Sequence, residues 1–502
     1  MQGSIRYDVS FGLRLLRAVP ALAGTLVIVA VVLVIFPADI RSLSIDGFVV
    51  VGLIGIWRYL WLMTHVIRSI IYEHWMYPKI KFEASNLAED GKYPDRMFFI
   101  VPSFNEKPEV SRRALKSILD EAATIPSKVT VVINAGSAEE DRVFNDACAA
   151  HEFGDQIEMM YVRQRGGKRQ GMADVLSALA DYEVSDSDVI ALMDGDTLLG
   201  KDILVKCLPL FAYSEKLGAV TTDNIAVTTG NSFYRKWYTL RFAMRHRMMK
   251  SQSLSRQLLV LTGRFSLIRA KYAIEPEFIS YLENDRIEHW LHGEIKFVTG
   301  DDKSTWFALL KHGREMLYVP DAHIYCMEDS GKQPLRQSVA KMHRWFGNML
   351  RNNGRAIKLG IGAAKPFIWF SLVDQRISMF TSLLGPIAAV WSAIWLSWYY
   401  LLIYVVLVIL VRTIYILLLL VEGHRISITD IPMLLYTQWM GSIVKIYTLF
   451  HLHKQKWDSH RTNMANGSDG STILVRSIPL LEMSLCYVMM IFLVAWTVGV
   501  KQ

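Results

Sequence analysis

The chain has 502 residues, 52% of them hydrophobic and 20% charged, with a mean hydropathy of +0.23. That is too apolar for an ordinary soluble protein, yet a long central section is as charged as any soluble domain. The composition therefore points to a membrane protein carrying one soluble domain. The net charge of +8 suits an anionic partner, although the positive-inside bias of membrane proteins gives the same sign.

Residues 1 to about 15 are polar, and Arg6, Arg14 and Arg17 precede an apolar run to Phe36. The run is long enough to span, and no small-residue cleavage site follows, so a membrane anchor is expected. A second span is expected at about 47–72, with Arg58 inside it. An intramembrane arginine either faces the bundle interior or snorkels to an interface. Residues 1–72 thus form two N-terminal transmembrane helices. From 73 to 335 the charge density rises and short β-like runs (96–101, 129–133, 189–193, 219–222) alternate with helical patterns (109–123, 171–182). This alternation argues for a largely parallel α/β sheet with binding loops at the strand C-terminal ends. The four cysteines match no metal spacing and read as free thiols, which places this domain in the cytoplasm.

Residues 336–374 read as interfacial amphipathic helices, the first of them at 336–352 and a second at 364–374. Spans follow at about 377–398, 399–421 and 477–500. Between the last two lies 431–452, which contains Gln438 and Lys445 and precedes a loop carrying Lys454, Lys456, Arg461 and Arg476. Were 431–452 to span, that basic loop would lie outside, so a re-entrant or interfacial segment with a cytoplasmic loop at 453–476 is favoured. Five spans are expected, with the N-terminus inside and the C-terminus outside; six is the alternative.

Several short motifs carry chemistry. The first β-like run ends in Val101-Pro102-Ser103-Phe104-Asn105-Glu106, at the binding edge of such a sheet. Arg165-Gly166-Gly167-Lys168-Arg169 opens a helix, and glycines, cations and a helix N-terminus together suit a phosphate. Asp194-Gly195-Asp196 follows an apolar strand, where two carboxylates can share a hard divalent cation that neutralises a diphosphate. Thr262-Gly263-Arg264 follows 258–261, and Gly300-Asp301-Asp302 follows the strand-like run 295–298. Adjacent acids repel, so such a pair is either a solvated turn or serves a cation, a substrate or a proton transfer. Finally, a basic helix carries Lys341-Met342-His343-Arg344-Trp345, whose tryptophan is either an interface anchor or a stacking platform for a sugar ring.

In this order the motifs resemble the processive, membrane-embedded family-2 glycosyltransferases that make cellulose, chitin, hyaluronan and alginate, and the resemblance covers nearly the whole chain. Gly55-Ile-Trp-Arg-Tyr59, the stretch 237–245, Leu261-Thr-Gly-Arg264, Lys296 to Ser304, Tyr318-Val-Pro-Asp-Ala322 and Asp374-Gln-Arg376 look like the catalytic subunit of alginate (mannuronan) polymerase. The resemblance implies a type-A glycosyltransferase domain, Rossmann-like with a mostly parallel sheet, inserted between transmembrane helices in a bacterial inner membrane. Asp194 and Asp196 would hold Mg2+ or Mn2+ and the donor diphosphate. Asp302 would be the general base, with Asp301 beside it. Lys168, Arg169, Arg344 and Trp345 would contact the donor diphosphate, and Trp457 and Arg461 would belong to a gating loop over it. Pro102, Asn105, Glu106 and Asn134 would bind the nucleotide. Trp345, Thr262, Gly263, Arg264, Arg58 and Arg376 would line the acceptor site and channel.

The implied partners are GDP-mannuronic acid, the growing polysaccharide, the lipid bilayer and a PilZ-type cyclic di-GMP-binding subunit, with no nucleic acid. The alternatives are a neutral or amino-sugar polymer made from a UDP-sugar, or a nucleotide-binding transporter without transferase activity. Three positions depart from the family pattern: Asn134 stands for an aspartate, Lys341 for a glutamine, and the 101–106 strand end looks more like the family at large than like the alginate branch. In favour of an acidic product, Arg58, Arg376, Arg412 and Lys445 lie in or near spans; Asp374 or Glu422 pairing with some of them would also resolve their burial.

Overall fold

The computed structural model describes residues 49–499 apart from 105, 151–153, 165, 183, 425 and 456–472, together with a few positions before residue 31. Most of the first expected span, and Asn105, Trp457 and Arg461, therefore lie outside the described residues.

The centre of the soluble domain is a sheet of eight strands in the order β3-β2-β1-β4-β7-β6-β10-β5. Its strands are β1 (Arg96–Ser103), β2 (Lys128–Ala135), β3 (Ile157–Arg163), β4 (Val189–Met193), β5 (Thr197–Leu199), β6 (Leu217–Thr229), β7 (Phe265–Arg269) and β10 (Glu315–Asp329). A separate hairpin pairs β8 (Arg286–His289) with β9 (Gly293–Lys296). The sheet is largely parallel, as expected from strands alternating with helices; β7 runs against β4 and β6, and β5 runs against β10. Every residue of β4 is buried, as befits a strand covered on both faces.

Alternation along β1 shows the two layers. Met97, Phe99 and Val101 pack with Leu115, Ile118 and Leu119 of the Pro108–Ala122 helix, whereas Phe98 and Ile100 pack with Met172 and Leu176 of the Lys168–Ala180 helix and Trp306 of the Asp301–Lys311 helix. All six strands and helices expected between residues 96 and 222 are present: the 189–193 strand has its expected bounds, the other three strands are longer, and the two helices start one and three residues earlier and end one and two residues sooner. β3, β5, β7, β8 and β10 were not anticipated, and β9 overlaps the strand-like run expected at 295–298.

Among the described residues, three helices beyond the domain are long and apolar enough to cross a membrane: Pro366–Trp395, Tyr399–Leu420 and Ser477–Val498. On their surfaces Ile394 and Met489 are each 70% exposed, which requires an apolar surrounding. The expected boundary at 374/375 falls inside a continuous helix, because 366–374 runs unbroken into 375–395. The Val49–Ile71 helix carries Arg58 and Arg68, and the Asp430–Phe450 helix is not among those three. The Pro334–Lys358 helix packs on the latter, and one apolar cluster joins Trp237 and Tyr238 of the Ser232–Ser253 helix to Phe346, Leu383, Ile416 and Leu434. That cluster ties the sheet domain to the membrane helices.

Candidate active site

The site lies at the C-terminal edge of β1 and β4, where a parallel sheet places its ligands. Gly195 separates Asp194 from Asp196 and sits against β1 so closely that a Cβ there would be 2.7 Å from the Pro102 carbonyl oxygen. The close approach pins Asp194 and Asp196 to one position at the strand end. Lys168, at the start of its helix, donates to Asp194 at 2.5 Å and to Asp301 at 2.7 Å. Burial opposes the charge on Lys168, but the two carboxylates hold its ammonium protonated well beyond the usual lysine range. Arg264 donates to Asp196 and, at 2.6 Å, to Glu328, and its Nε lies 3.7 Å from Asp194. Glu106 stands beside this cluster. Burial, and then the charges of Asp196 and Asp194, push its carboxyl up to about 7.

Asp194 and Asp196 converge on the span of one guanidinium, and oxygen donors so placed suit a hard divalent cation completed by phosphate and water oxygens. Among the described residues no third His, Cys, Asp or Glu joins them as a ligand set. These two aspartates would hold Mg2+ or Mn2+, which supplies charge neutralisation at a leaving diphosphate.

Asp301 and Asp302 do not end a strand. They open the Asp301–Lys311 helix, with Gly300 before them at φ +90°. The repulsion between adjacent acids is offset there by the positive helix N-terminus and by Lys168. Burial works against the charge of Asp301, but Lys168 and then Arg169 hold its carboxyl below the usual range. Asp302 faces the opposite balance: burial and the neighbouring Asp301 charge push it up to about 6. Two adjacent carboxylates thus take different roles, one a permanent anion locked to lysine and one a base with an affinity for protons near neutrality. Gly263 lies against Asp302, where a Cβ would be 3.3 Å from the Asp302 Cβ.

Gly300 is itself held by Asn348 of the Pro334–Lys358 helix: a Cβ on Gly300 would be 2.7 Å from the Asn348 Cγ. Asn348 accepts from Thr299 at 2.6 Å and from Arg351 at 2.6 Å. Gly300→Ala adds left-handed strain of about 1–2 kcal/mol to this clash and shifts the two aspartates. Turnover should fall on the order of 10²-fold, with ligand binding retained; a variant with wild-type turnover would show that the turn tolerates displacement.

Trp345 lies parallel to Trp237 (ring centroids 5.8 Å, 14°), edge-on to Tyr238, and beneath the Arg241 guanidinium at 4.4 Å. Arg344 is half-buried on the same helix. Lys341, at the position where the family resemblance implies a glutamine, donates at 2.7 Å to Glu328, which also accepts from Tyr238 at 2.7 Å. The lysine therefore supplies a second cation to a carboxylate already shared with Arg264.

Several expected site residues are engaged elsewhere. Arg169 turns away from Lys168 and donates to the Leu282 and Tyr281 carbonyls and to Ser304, so in this structure it caps the Pro276–Glu283 helix and makes no approach to a donor. Asn134 is fully buried, donating to the Val162 carbonyl at 3.1 Å and accepting from Gln164 at 3.3 Å, so it bridges β2 and β3 and faces no open space. Thr262 is buried in a turn, donating to the Phe265 carbonyl at 2.7 Å. Arg264 belongs with the donor carboxylates; the expected acceptor role does not describe its contacts. Arg58 pairs with Asp374, and Arg376 donates to Asn353 and the Leu350 carbonyl, so both tie helices together. Glu422 pairs with Arg247 at 2.9 Å. Glu328 escaped the sequence reading; its only signal was a carboxylate late in an apolar strand-like run. Glu140, which accepts from the Gly136 backbone at 2.9 Å and Ser103 at 3.1 Å, gave none.

Residues 94–348 match the glycosyltransferase-like family 2. The chain belongs to that family. As a family-2 glycosyltransferase it is 34% identical over 432 residues to glycosyltransferase alg8 of Pseudomonas syringae pv. tomato, covering 86% of this chain and 87% of that protein. It is 35% identical over 416 residues to glycosyltransferase alg8 of Azotobacter vinelandii, covering 82% and 84%. Among solved structures, a mannosyltransferase from Pyrobaculum calidifontis in complex with GDP-Man and Mn2+ is 15% identical, covers 77% of this chain and 98% of that one, and superposes with a TM-score of 0.42. This glycosyltransferase carries its family-2 domain ahead of the three apolar helices.

Proposed function

We propose that this glycosyltransferase polymerises GDP-mannuronic acid into a β-linked polymannuronate, the alginate precursor, and passes the chain through its own helices across the bacterial inner membrane. The observation that carries the chemistry is Asp302, buried at the start of a helix with its carboxyl pushed up to about 6, beside an Asp301 locked to Lys168. The acceptor hydroxyl attacks the anomeric carbon of the donor from the face opposite the nucleotide. The new glycosidic bond forms as the bond to the diphosphate oxygen breaks, GDP leaves with that electron pair, and Asp302 takes the hydroxyl proton. Lys168 and Arg264 lie where charge develops on the leaving diphosphate. Inversion follows from the single displacement.

The sugar assignment is supported by relatives named for alg8 that span most of this chain, and by cations near the helices, among them Arg412 and Lys445. Processive synthesis is supported by the continuity of the site with the helices through Trp237, Trp345 and Phe346. A PilZ-type subunit sensing cyclic di-GMP is the proposed activator, and residues 453–476, whose start Gln455 is bonded to the Lys296 carbonyl and the Val298 amide, are the proposed gate. More distant relatives are N-acetylglucosaminyltransferases at 22–25% identity, which keeps a UDP-amino-sugar donor as the rival.

Membranes containing the enzyme should release GDP from GDP-mannuronic acid and form a product cleaved by mannuronate-specific lyase. Turnover of a UDP-sugar in its place, with no lyase-sensitive product, would overturn the assignment.

A further inference from the structure

Most cations in the core of this protein are paired: Arg58 with Asp374, Arg247 with Glu422, Lys341 with Glu328, Arg355 with Asp285. Arg241, Arg245 and Lys445 differ from these, as do Arg169, Lys303 and Arg351, whose hydrogen bonds go to backbone carbonyls and neutral side chains. Among the described residues none of Arg241, Arg245 and Lys445 makes an ion pair or donates a hydrogen bond to a carboxylate. Arg241 and Arg245 are one helical turn apart on the Ser232–Ser253 helix, an arrangement in which like charges repel. Burial, together with Arg245, weakens the hold of Arg241 on its proton, drawing it down to about 10. Two half-buried cations set side by side share no bonded anion, only the charge of Asp302 reaching Arg245, and buried charge so incompletely compensated is costly.

Their positions say where the anion would lie. The charge of Arg245 reaches both Asp302 and Lys303. Arg241 lies over Trp345 at 4.4 Å and Phe346 at 5.2 Å, and Lys445 lies over Phe346 at 4.9 Å. The three cations therefore lead from the proposed base, along the tryptophan, to the Asp430–Phe450 helix. Arg245 also lines a small cavity with Thr222, Asp223 and Asn224. Asp223, on the same cavity wall, is already bonded to His246 at 3.0 Å and Tyr318 at 2.9 Å. The Thr222 Oγ1 and Asn224 Oδ1 are buried without a hydrogen-bond partner, in a wall that offers unused polar atoms to a hydroxylated ligand.

We propose that Arg241 and Arg245 form the acceptor-end subsite that reads the carboxylate of the sugar just added, with Thr222 and Asn224 facing its hydroxyls and Lys445 taking the next carboxylate as the chain advances. This rests on the proposed acidic product and names the residues that select it. A guanidinium and a carboxylate meet through two parallel hydrogen bonds, so the subsite selects both charge and orientation. A neutral sugar brings no anion and leaves both arginines uncompensated.

The experiment uses the full-length enzyme in lipid nanodiscs, comparing oligomannuronate with its methyl ester as acceptor for wild type, Arg241→Gln, Arg245→Gln and the double variant. Wild type should prefer the free acid on the order of 10–100-fold in acceptor KM, the scale of one charge-assisted hydrogen bond. The variants should lose that preference while binding GDP with wild-type affinity and unfolding at the wild-type Tm, which certifies their fold. Variants that keep the preference overturn the subsite. Should neither variant fold, wild type accepting acid and ester equally overturns it. Wild type that ignores GDP-mannuronic acid and uses a neutral donor defeats the substrate assignment itself, a result distinct from variants that still discriminate in an enzyme making polymannuronate.

Discussion

Asp302→Asn should reduce polymer formation by on the order of 10²–10⁴-fold, the usual contribution of a general base, while leaving donor binding near its wild-type value. The carboxyl is pushed up to about 6 by burial and by the Asp301 charge. A base works only when ionised. With its pKa raised, Asp302 loses activity as pH falls through about 6, and the rate should drop roughly tenfold for each further unit while reaching a plateau above it. The acid limb belongs to Asp302, so it should vanish from whatever activity the asparagine variant retains. Donor affinity measured by calorimetry and GDP release measured from pH 5 to 8 would check both statements. A variant that polymerises within a few-fold of wild type, or that keeps the same acid limb, assigns the base elsewhere.

The second large effect is expected at Arg264. Its guanidinium serves Asp196 and Glu328 directly and Asp194 at 3.7 Å, with a side chain only 18% exposed. Arg264→Met removes the shared cation and leaves three acids to Lys168 and Lys341. Breaking a buried ionic cluster by deleting one partner costs about 3–5 kcal/mol, which for a domain of this size lowers Tm by roughly 10 °C. The same carboxylates are those proposed to hold a divalent cation, so millimolar Mg2+ or Mn2+ should recover part of the lost Tm in the variant and less in wild type. Thermal unfolding of the purified protein with chelator or metal reads this directly. An unchanged Tm would mean that water reaches and solvates the carboxylates.

The sheet was legible because its central strands are unbroken apolar runs between glycine- and proline-containing turns. β1, β2, β4 and the start of β6 announce themselves in this way. β3 does not: it is an edge strand with alternating half-exposed and exposed residues, too polar to stand out. In the site, Asp194, Asp196 and Asp302 were found from strand-end and paired-acid patterns. What the sequence left open is direction. Lys168 and Arg169 are neighbours of like charge, yet one enters the site and the other caps a helix on its far side. Arg264, Glu328 and Lys341 form one ionic chain from three separated stretches, and only the packing of β7, β10 and the Pro334–Lys358 helix brings them together. Arg58 meets Asp374 across more than three hundred residues for the same reason.

The Pro334–Lys358 helix has a mechanical meaning. Trp345, Asn348 and Arg351 sit at successive turns of this one rod. Trp345 carries the aromatic platform, Asn348 seats the Gly300 turn, and Arg351 donates to the Leu452 carbonyl at 3.1 Å, just before the segment 456–472. Asp194 and Asp196 belong instead to the sheet, joined to the rod's parts through Lys168 and Asp301. A load applied along the rod from the membrane side would thus carry the aromatic platform, the Gly300 turn and the Leu452 backbone as a unit, with the Lys168 bridge taking the shear.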